Sequence, residues 1–382
     1  LVLPAILSAV ILTFSKAIGT FGTINYLGSP VQYYTLSSQL YMNINSRDTQ
    51  TGFAMAILMI IIASIAVFVN QKLIGSRKSY ATIGGKGGRS TLIGLGKVGR
   101  PVITAALFVF FAVGIIMPIV ILVMESFMLK EGIYSLDNFT LHYWIGESNP
   151  QIMEGLPGIF KNDEFINSLF NSLRLTLVNG VFGTIFGQIL GYITAKGRGR
   201  FHGKLVEQLV FIPYLIPSVA FGGIYLSMFS QPQQIFGVTL IPALYGTFAL
   251  LTLVSVVKHL PFAARAGTSN MLQISGELEE AATIEGAGFF RRFIKIVFPL
   301  SKGGFISGFM LIFVSIMKEL DLIILIMTPT TSTLPYLAFR YQNGNSPQAS
   351  DCVAIVMFSI VFLVYAIANL SGKADLAKSM AG

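Results

Sequence analysis

ELEEAATIEGAGFFRRFIKIVFP, residues 277 to 299, is a charged stretch in a chain that is otherwise mostly apolar. Glu and Ala are good helix formers, so residues 280 to 282 are predicted to lie in a short helix. The glycines that follow supply a flexible turn, and residues 289 to 297 can form a second short helix. Pro299 then leads into the next apolar run. The stretch is therefore predicted to be a helix-turn-helix elbow between two hydrophobic spans, with small alanines that let a partner approach closely.

The composition indicates a membrane protein. Hydrophobic residues make up 53% of the chain and charged residues only 11%, whereas soluble domains carry about 25% charged residues. The net charge of +9 is placed as the positive-inside rule requires, so it does not indicate nucleic-acid binding. The single cysteine, Cys352, excludes an internal disulfide and a cysteine metal cluster. The chain begins with Leu1 inside an apolar run and without a signal-peptide pattern, so we expect that an N-terminal part is missing.

Eight apolar runs are long enough to cross a bilayer, whose core needs about 20 residues of helix. The loop 71–101 carries seven basic residues and no acidic one, which predicts a cytoplasmic position, and the acidic loop 125–165 is predicted to lie outside. The same alternation predicts a cytoplasmic elbow. The fold class is thus an all-α, polytopic transmembrane helical bundle with about eight spans, at residues 3–21, 52–70, 102–124, 166–195, 205–229, 239–257, 300–327 and 351–370.

The elbow resembles the cytoplasmic EAA loop of ABC-transporter permeases, the importers that work with a periplasmic binding protein. The family pattern is Glu-Ala-Ala, three residues, Gly, nine residues, Ile, one residue, Leu-Pro. Phe298 replaces the Leu of the pattern, and an ordinary amphipathic surface hairpin is the alternative interpretation. The positions that match are Glu280, Ala281, Ala282, Gly286, Ile296 and Pro299.

This resemblance implies a type I, MetI-like importer permease in the inner membrane that works by alternating access. Its expected partners are a cytoplasmic ABC ATPase dimer, a periplasmic or lipid-anchored substrate-binding protein and membrane lipid, with no nucleic acid. Glu280 would contact the ATPase groove, Ala281 and Ala282 would allow close docking, and Gly286 would form the turn. The chain would not hydrolyse ATP itself and would need no cofactor.

Two parts of the chain are similar to each other. TLSSQLY at residues 35–41 parallels TLPYLAF at 333–339, and AVFVN ending at Asn70 parallels YAIAN ending at Asn369. The steady spacing favours a duplication, although chance similarity between hydrophobic hairpins is the alternative. The predicted organisation is the C-terminal part of a first permease repeat at 1–70, a basic cytoplasmic linker at 71–101, a second six-span unit at 102–370 and a cytoplasmic tail at 371–382.

The chain looks most like the fused ferric-iron-type permeases. The similarity is carried by IGTFG at 18–22, LPFAARAGTSNMLQISGELEEAA at 260–282 and MKELDLIILI at 317–326. Ferric iron is therefore the expected cargo, but the same architecture imports polyamines, thiamine and phosphonates. An ion-coupled secondary transporter is the alternative from another class, with the charges near residue 319 as a relay. An intramembrane enzyme is disfavoured, because no paired catalytic residues are found.

Lys318, Glu319 and Asp321 interrupt the predicted seventh span. Ionisable groups at membrane depth cost several kcal/mol unless they are paired or wetted. On a helix Lys318 and Asp321 are three residues apart and can form an ion pair. The two interpretations are a translocation path or gate and a structural ion pair. Pro213 and Pro217 break the predicted fifth span, either as a gating hinge or to allow close helix packing.

Several other polar features are predicted to have no special role. His142, His202 and His259 are expected in different loops and have no metal-site spacing. GGKGGRST at residues 84–91 does not have the spacing of a phosphate-binding loop. Snorkelling to the membrane interface explains Lys16 better than a substrate role does.

Overall fold

The computed structural model describes residues 10, 13–14, 16–75, 94–152 and 155–370. Most of the first predicted span lies outside these residues, and so do the GGKGGRST motif and the tail at 371–382. The described chain is mainly helical. Its N-terminal region contains α1 (Gly22–Gly28), a 3-10 turn at Ser29–Val31, α2 (Leu36–Asn45) and α3 (Thr49–Gly75).

The second region begins with a long helix that is interrupted by a π-helical turn at Ala112–Ile116 between α4 (Gly96–Phe111) and α5 (Met117–Glu125). Short helical segments follow. The remaining elements are α6 (His142–Ile145), α7 (Asp163–Lys196), α8 (Phe201–Leu215), α9 (Ser218–Phe229), β1 (Gln233–Ile235), β2 (Val238–Ile241), α10 (Phe248–Met271), α11 (Gly276–Ile284), α12 (Phe289–Arg292), a π-helical turn at Phe293–Val297, α13 (Phe298–Leu300), α14 (Lys302–Met317), α15 (Leu334–Asn343) and α16 (Pro347–Leu370).

Five described helical segments are long and apolar enough to cross a membrane, and two bent helix pairs raise this number to seven if each pair is one span. The predicted spans at 102–124, 166–195 and 351–370 are confirmed, since each falls inside such a segment, and the span at 52–70 is confirmed by its overlap with the segment Thr49–Ala66. The fold class is confirmed as well. In the described part of the chain, the antiparallel hairpin of β1 and β2 is the only sheet.

Two predicted spans were placed wrongly. The sixth begins at Phe248 rather than at residue 239 and continues to Met271, because Thr247 caps the helix by accepting a hydrogen bond from the Leu250 N–H (3.3 Å). The seventh does not remain helical to residue 327. Its helix α14 ends at Met317, and residues 321 to 326 form turns.

Small residues bring α7 and α10 into close contact. A Cβ atom built on Gly187 would lie 2.6 Å from the backbone carbon of Ala263, and one built on Gly191 would lie 2.6 Å from that of Gly267. Such small-residue faces let transmembrane helices pack backbone to backbone. This packing fixes the position of α10, which carries polar groups into the membrane part of the protein.

Candidate translocation cavity and coupling elbow

A cavity of about 400 Å³ lies where several broken helices meet. Its walls come from the segment before α1, from the break between α8 and α9, from α10 and from the end of α14. Four of the five residues predicted for a translocation path or gate line this cavity or its edge: Pro217, Lys318, Glu319 and Asp321.

The break between α8 and α9 follows from two prolines. Pro217 has no N–H, so the carbonyl of Pro213 loses the donor that a continuous helix would supply. The two helices meet at 98°. Lys258 of α10 replaces the missing donor, because its ammonium donates to the Pro213 oxygen at 2.9 Å and also to the Ile216 oxygen. Pro213 therefore contributes a carbonyl group that binds Lys258, a residue that lines the cavity.

The second break is held by a carboxylate. After α14 ends, Glu319 accepts a hydrogen bond from the Leu322 N–H at 2.9 Å. Its other oxygen lies 3.4 Å from Nε2 of His259, whose Nδ1 lies 2.9 Å from the Ser255 carbonyl oxygen. Both ring nitrogens of His259 therefore face oxygen atoms. Two adjacent residues of α10 therefore stabilise the two helix breaks: Lys258 binds the break between α8 and α9, and His259 contacts Glu319 at the break after α14.

Asp321 connects the two regions of the chain. Its Oδ1 accepts a hydrogen bond from the Gly22 N–H at 2.9 Å. The ion pair that helical spacing would allow between Lys318 and Asp321 does not form among the described residues, because the helix ends before them. Lys318 is exposed at the cavity.

Lys258 and His259 were missed by the sequence analysis, which placed the first at a cytoplasmic end and the second in a loop. Both are buried inside α10, with only 7% and 3% of their surface exposed. A usable signal was present, because the apolar pattern of this helix continues beyond them to residue 264. Histidines 142 and 202 lie in α6 and α8, and no group of three or more metal-ligating side chains occurs among the described residues.

The elbow forms as predicted. The first helix, α11, ends in a Schellman motif: the Ala287 N–H donates to the Ala282 oxygen at 2.9 Å, and the Gly286 N–H donates to the Thr283 oxygen at 3.0 Å. This motif needs a left-handed residue at its turn, and Gly286 supplies it with φ of 77°. The spacing between the Glu-Ala-Ala step and the glycine therefore has a direct structural cause. The second arm, α12 to α13, is bent by 74° against α14 just after Leu300.

The motif residues form an open face of the elbow. Glu280 and Ala281 are exposed, and Ala282 and Ile296 are half-buried. The other two motif residues, Gly286 and Pro299, are exposed as well.

Glu279, next to Glu280, is buried and was not singled out by the sequence analysis. Its carboxylate forms an ion pair with Lys196 at 2.6 Å and accepts a hydrogen bond from the Tyr192 hydroxyl at 2.6 Å. The Tyr192 ring in turn contacts Phe289 and Phe293, with centroid distances of 5.7 Å and 5.6 Å. Both arms of the elbow are thereby attached to the end of α7.

A bundle of apolar helices, broken around a charged cavity and joined by a polar elbow, defines a membrane transport protein. Residues 183–374 match the family described as binding-protein-dependent transport system inner membrane component, and the chain belongs to this family. It is therefore a multi-pass permease subunit of a binding-protein-dependent ABC importer in the inner membrane, as the resemblance of the elbow implied. The permease component of such an importer is not itself catalytic.

Relatives with different cargoes are similar to this chain. The ferric transport system permease protein FbpB of Actinobacillus pleuropneumoniae is 22% identical over 99% of this chain, which spans about half (52%) of that protein. The molybdate/tungstate permease WtpB of Thermococcus kodakarensis is 28% identical over 53% of this chain and 76% of its own length. The sulfate permease CysT of Synechocystis is 26% identical over 53% of this chain and 71% of its own.

A solved structure supports the fold. A chain of a bacterial ABC transporter involved in the import of the acidic polysaccharide alginate superposes with a TM-score of 0.56. The match covers 71% of this chain and 94% of that chain at 16% sequence identity.

Proposed function

We propose that this chain is the membrane path of an ATP-driven importer that works by alternating access. A periplasmic or lipid-anchored binding protein delivers the cargo, and a separate cytoplasmic ABC ATPase dimer hydrolyses ATP. The observation that carries this proposal is the open motif face of an elbow that lies between α10 and α14 in the chain, two helices that line the cavity. Movement of the elbow would then be transmitted to the cavity walls.

The roles within the elbow follow from exposure and geometry. Glu280 makes polar contacts to the ATPase, and Ala281 and Ala282 let it approach closely. Gly286 closes the turn. Ile296 and Pro299 set the position of the second arm against the membrane helices.

In the membrane, Lys318, Glu319 and Asp321 belong to the translocation path, and the break between Pro213 and Pro217 is its hinge. Polar, unwound backbone at membrane depth is tolerated where it lines a cavity. Discontinuous helices at such a cavity are a recurring way to build a transport site.

The chain consists, in this proposal, of the end of one permease repeat at 1–70, a cytoplasmic linker at 71–101, a complete second unit at 102–370 and a cytoplasmic tail at 371–382. Matching elements support the repeat. Helices α2 and α15 both contain ten residues and start 298 residues apart, and α3 and α16 also start 298 residues apart. Thr35 and Thr333 are the corresponding extended residues before α2 and α15.

Ferric iron is the cargo that we propose. The support is the extent of similarity, since the ferric relative matches 99% of this chain whereas the molybdate/tungstate and sulfate relatives each match 53%. The lysines at the cavity disfavour a polyamine, which carries several positive charges itself.

The test is uptake by proteoliposomes that contain the full-length permease, its ATPase and its binding protein. We expect uptake of radioactive ferric iron that requires ATP and the binding protein. Uptake without ATP would contradict an ABC importer. Transport of molybdate or sulfate without iron would reject the proposed cargo but retain the importer.

A further inference from the structure

The charges around the cavity are not balanced. Three lysines, two carboxylates and one histidine line it. Lys258 is occupied by two backbone carbonyls, Glu319 by His259 and a backbone N–H, and Asp321 by the Gly22 N–H. The two lysines that remain, Lys16 and Lys318, are exposed and form no ion pair among the described residues.

The two remaining lysines come from different regions of the chain. Lys16 lies one turn before the break that precedes α1, and its ammonium lies 5.4 Å from the ring centroid of Tyr214. Lys318 is the C-cap residue of α14. The two repeats are offset by 298 residues, so the position in the first repeat that corresponds to Lys318 is Thr20. Lys16 lies four residues, about one helical turn, before Thr20. Each region therefore places one lysine within about a turn of its break.

We propose that this cavity contains an oxyanion subsite whose cations are Lys16 and Lys318. Two ammonium groups from different walls can bind one anion through charge-assisted hydrogen bonds. Ser218 and Ser315 line the same space, and their hydroxyl groups can donate to the remaining oxygens, whereas the Thr20 hydroxyl donates to the Lys16 carbonyl (3.3 Å). A cavity of about 400 Å³ accommodates an oxyanion together with several waters, since a water molecule takes up about 30 Å³ in the liquid.

This inference rests on the proposed function and deepens it. A bare ferric ion would be repelled by two lysines whose charge no carboxylate neutralises. Hard cations prefer oxygen ligands, so a ferric ion can enter such a site when it carries an oxyanion. The ligand class is therefore an oxyanion, either free or bound to the ferric ion.

The experiment measures equilibrium binding of radioactive probes to the complete transporter in nanodiscs made of lipids without net charge. The probes are inorganic sulfate, citrate and ferric citrate. The variants are Lys16→Gln, Lys318→Gln and the double variant, with Lys318→Arg to retain the charge. The matched control is Lys302→Gln, an exposed lysine at the other end of α14. Melting temperatures identify variants that fail to fold.

We expect each Gln variant to lose about tenfold in affinity, which is about 1.4 kcal/mol, because one charge-assisted hydrogen bond to the anion is lost. The control and Lys318→Arg should bind normally. Binding of sulfate or citrate alone would identify a free oxyanion as the ligand, whereas binding of ferric citrate only would identify an oxyanion carried on iron. Equal binding by the wild type and the double variant, or no binding of any probe, would overturn the subsite.

ATP-dependent uptake is measured in parallel, so that the two proposals fail separately. Unchanged uptake by the folded double variant rejects the subsite and leaves the importer intact. Absence of ATP-dependent uptake in the wild type rejects the proposed function, whatever the probes bind.

Discussion

The elbow and the cavity use their charged residues in different ways. The elbow is one continuous stretch in which two adjacent glutamates differ in exposure. Glu279 is buried against α7, and Glu280 is exposed. The cavity is assembled from four segments that lie far apart in the chain, and its carboxylates are held while two lysines stay exposed. In the elbow, the exposed charge of Glu280 is the one that we propose for contact with a partner protein. In the cavity, most charged side chains form hydrogen bonds with backbone groups at the helix breaks. The two remaining lysines, Lys16 and Lys318, are available to a small ligand.

The largest expected effect is at the cavity. In Lys258→Met the Pro213 and Ile216 carbonyls lose their donor in a buried place. Each buried acceptor that is left without a donor costs about 1–3 kcal/mol. We expect a clearly lower melting temperature and loss of ATP-driven uptake.

The matched variant at the elbow is Lys196→Met, which removes the ion pair with Glu279. Because the Lys196 side chain is 37% exposed, solvent screens this pair, and the cost should be about 1 kcal/mol or less. Equal destabilisation by the two variants in a detergent melting assay would contradict the distinction between cavity and elbow.

The next effect concerns the turn of the elbow. Proline fixes φ near −65°, so Gly286→Pro cannot adopt the observed φ of 77°. We expect normal membrane insertion but loss of ATPase co-purification and of uptake. Gly286→Ala should be milder, with a cost of about 1–2 kcal/mol for the left-handed conformation.

Gly288→Ala is the control for the turn, because Gly288 has φ of −66° and open space where a Cβ would be added. It should behave like the wild type. If Gly286→Pro supports normal uptake, the turn has no part in coupling.

A smaller effect separates the two glutamates. Glu279→Gln removes the charge that pairs with Lys196 but can still accept the Tyr192 hydrogen bond, so the ATPase should still bind. Because the elbow is then held less firmly to α7, we expect several-fold less cargo transported per ATP hydrolysed. Glu280→Lys should instead weaken ATPase association. If both variants lower ATPase association, or both lower only the cargo transported per ATP, the distinction between the two glutamates is contradicted.

The smallest effect is expected outside the membrane, at the exposed ion pair of Lys161 and Glu147. The Lys161 ammonium lowers the pKa of the Glu147 carboxyl below its ordinary value, mainly through a hydrogen bond. Any stabilisation is therefore present above the ordinary pKa and is lost as the pH falls through the lowered one. Lys161→Met should leave uptake at neutral pH unchanged, and a clear loss there would show that this loop has a role of its own.

The sequence predicts the elbow well because its features are local. The Schellman motif depends only on residues 282 to 287, and the spacing of the motif records it directly. Four membrane spans are also predicted correctly, since apolar composition over about 20 residues is enough to identify a span.

The cavity could not be predicted in the same way. The predicted sixth span ended at residue 257, which placed Lys258 outside α10, and the backbone carbonyls that Lys258 binds lie more than 40 residues away in the sequence. Glu319 and Asp321 were treated as parts of one helix, but their partners are His259 and Gly22. Which of two adjacent glutamates is buried likewise depends on contacts with α7 that the local sequence does not contain.

The most direct test of the central claim is disulfide cross-linking to the ATPase. Cys352 is the only cysteine in residues 1–382 and is buried, so Cys352→Ala, with any cysteine outside these residues also replaced, gives a background for single-cysteine variants. Glu280→Cys and Glu279→Cys are compared against an ATPase with a cysteine in its docking groove. The account predicts rapid cross-linking at residue 280 and little at residue 279. Equal cross-linking at the two positions, or none at residue 280, would contradict the claim that the open face of the elbow docks the ATPase.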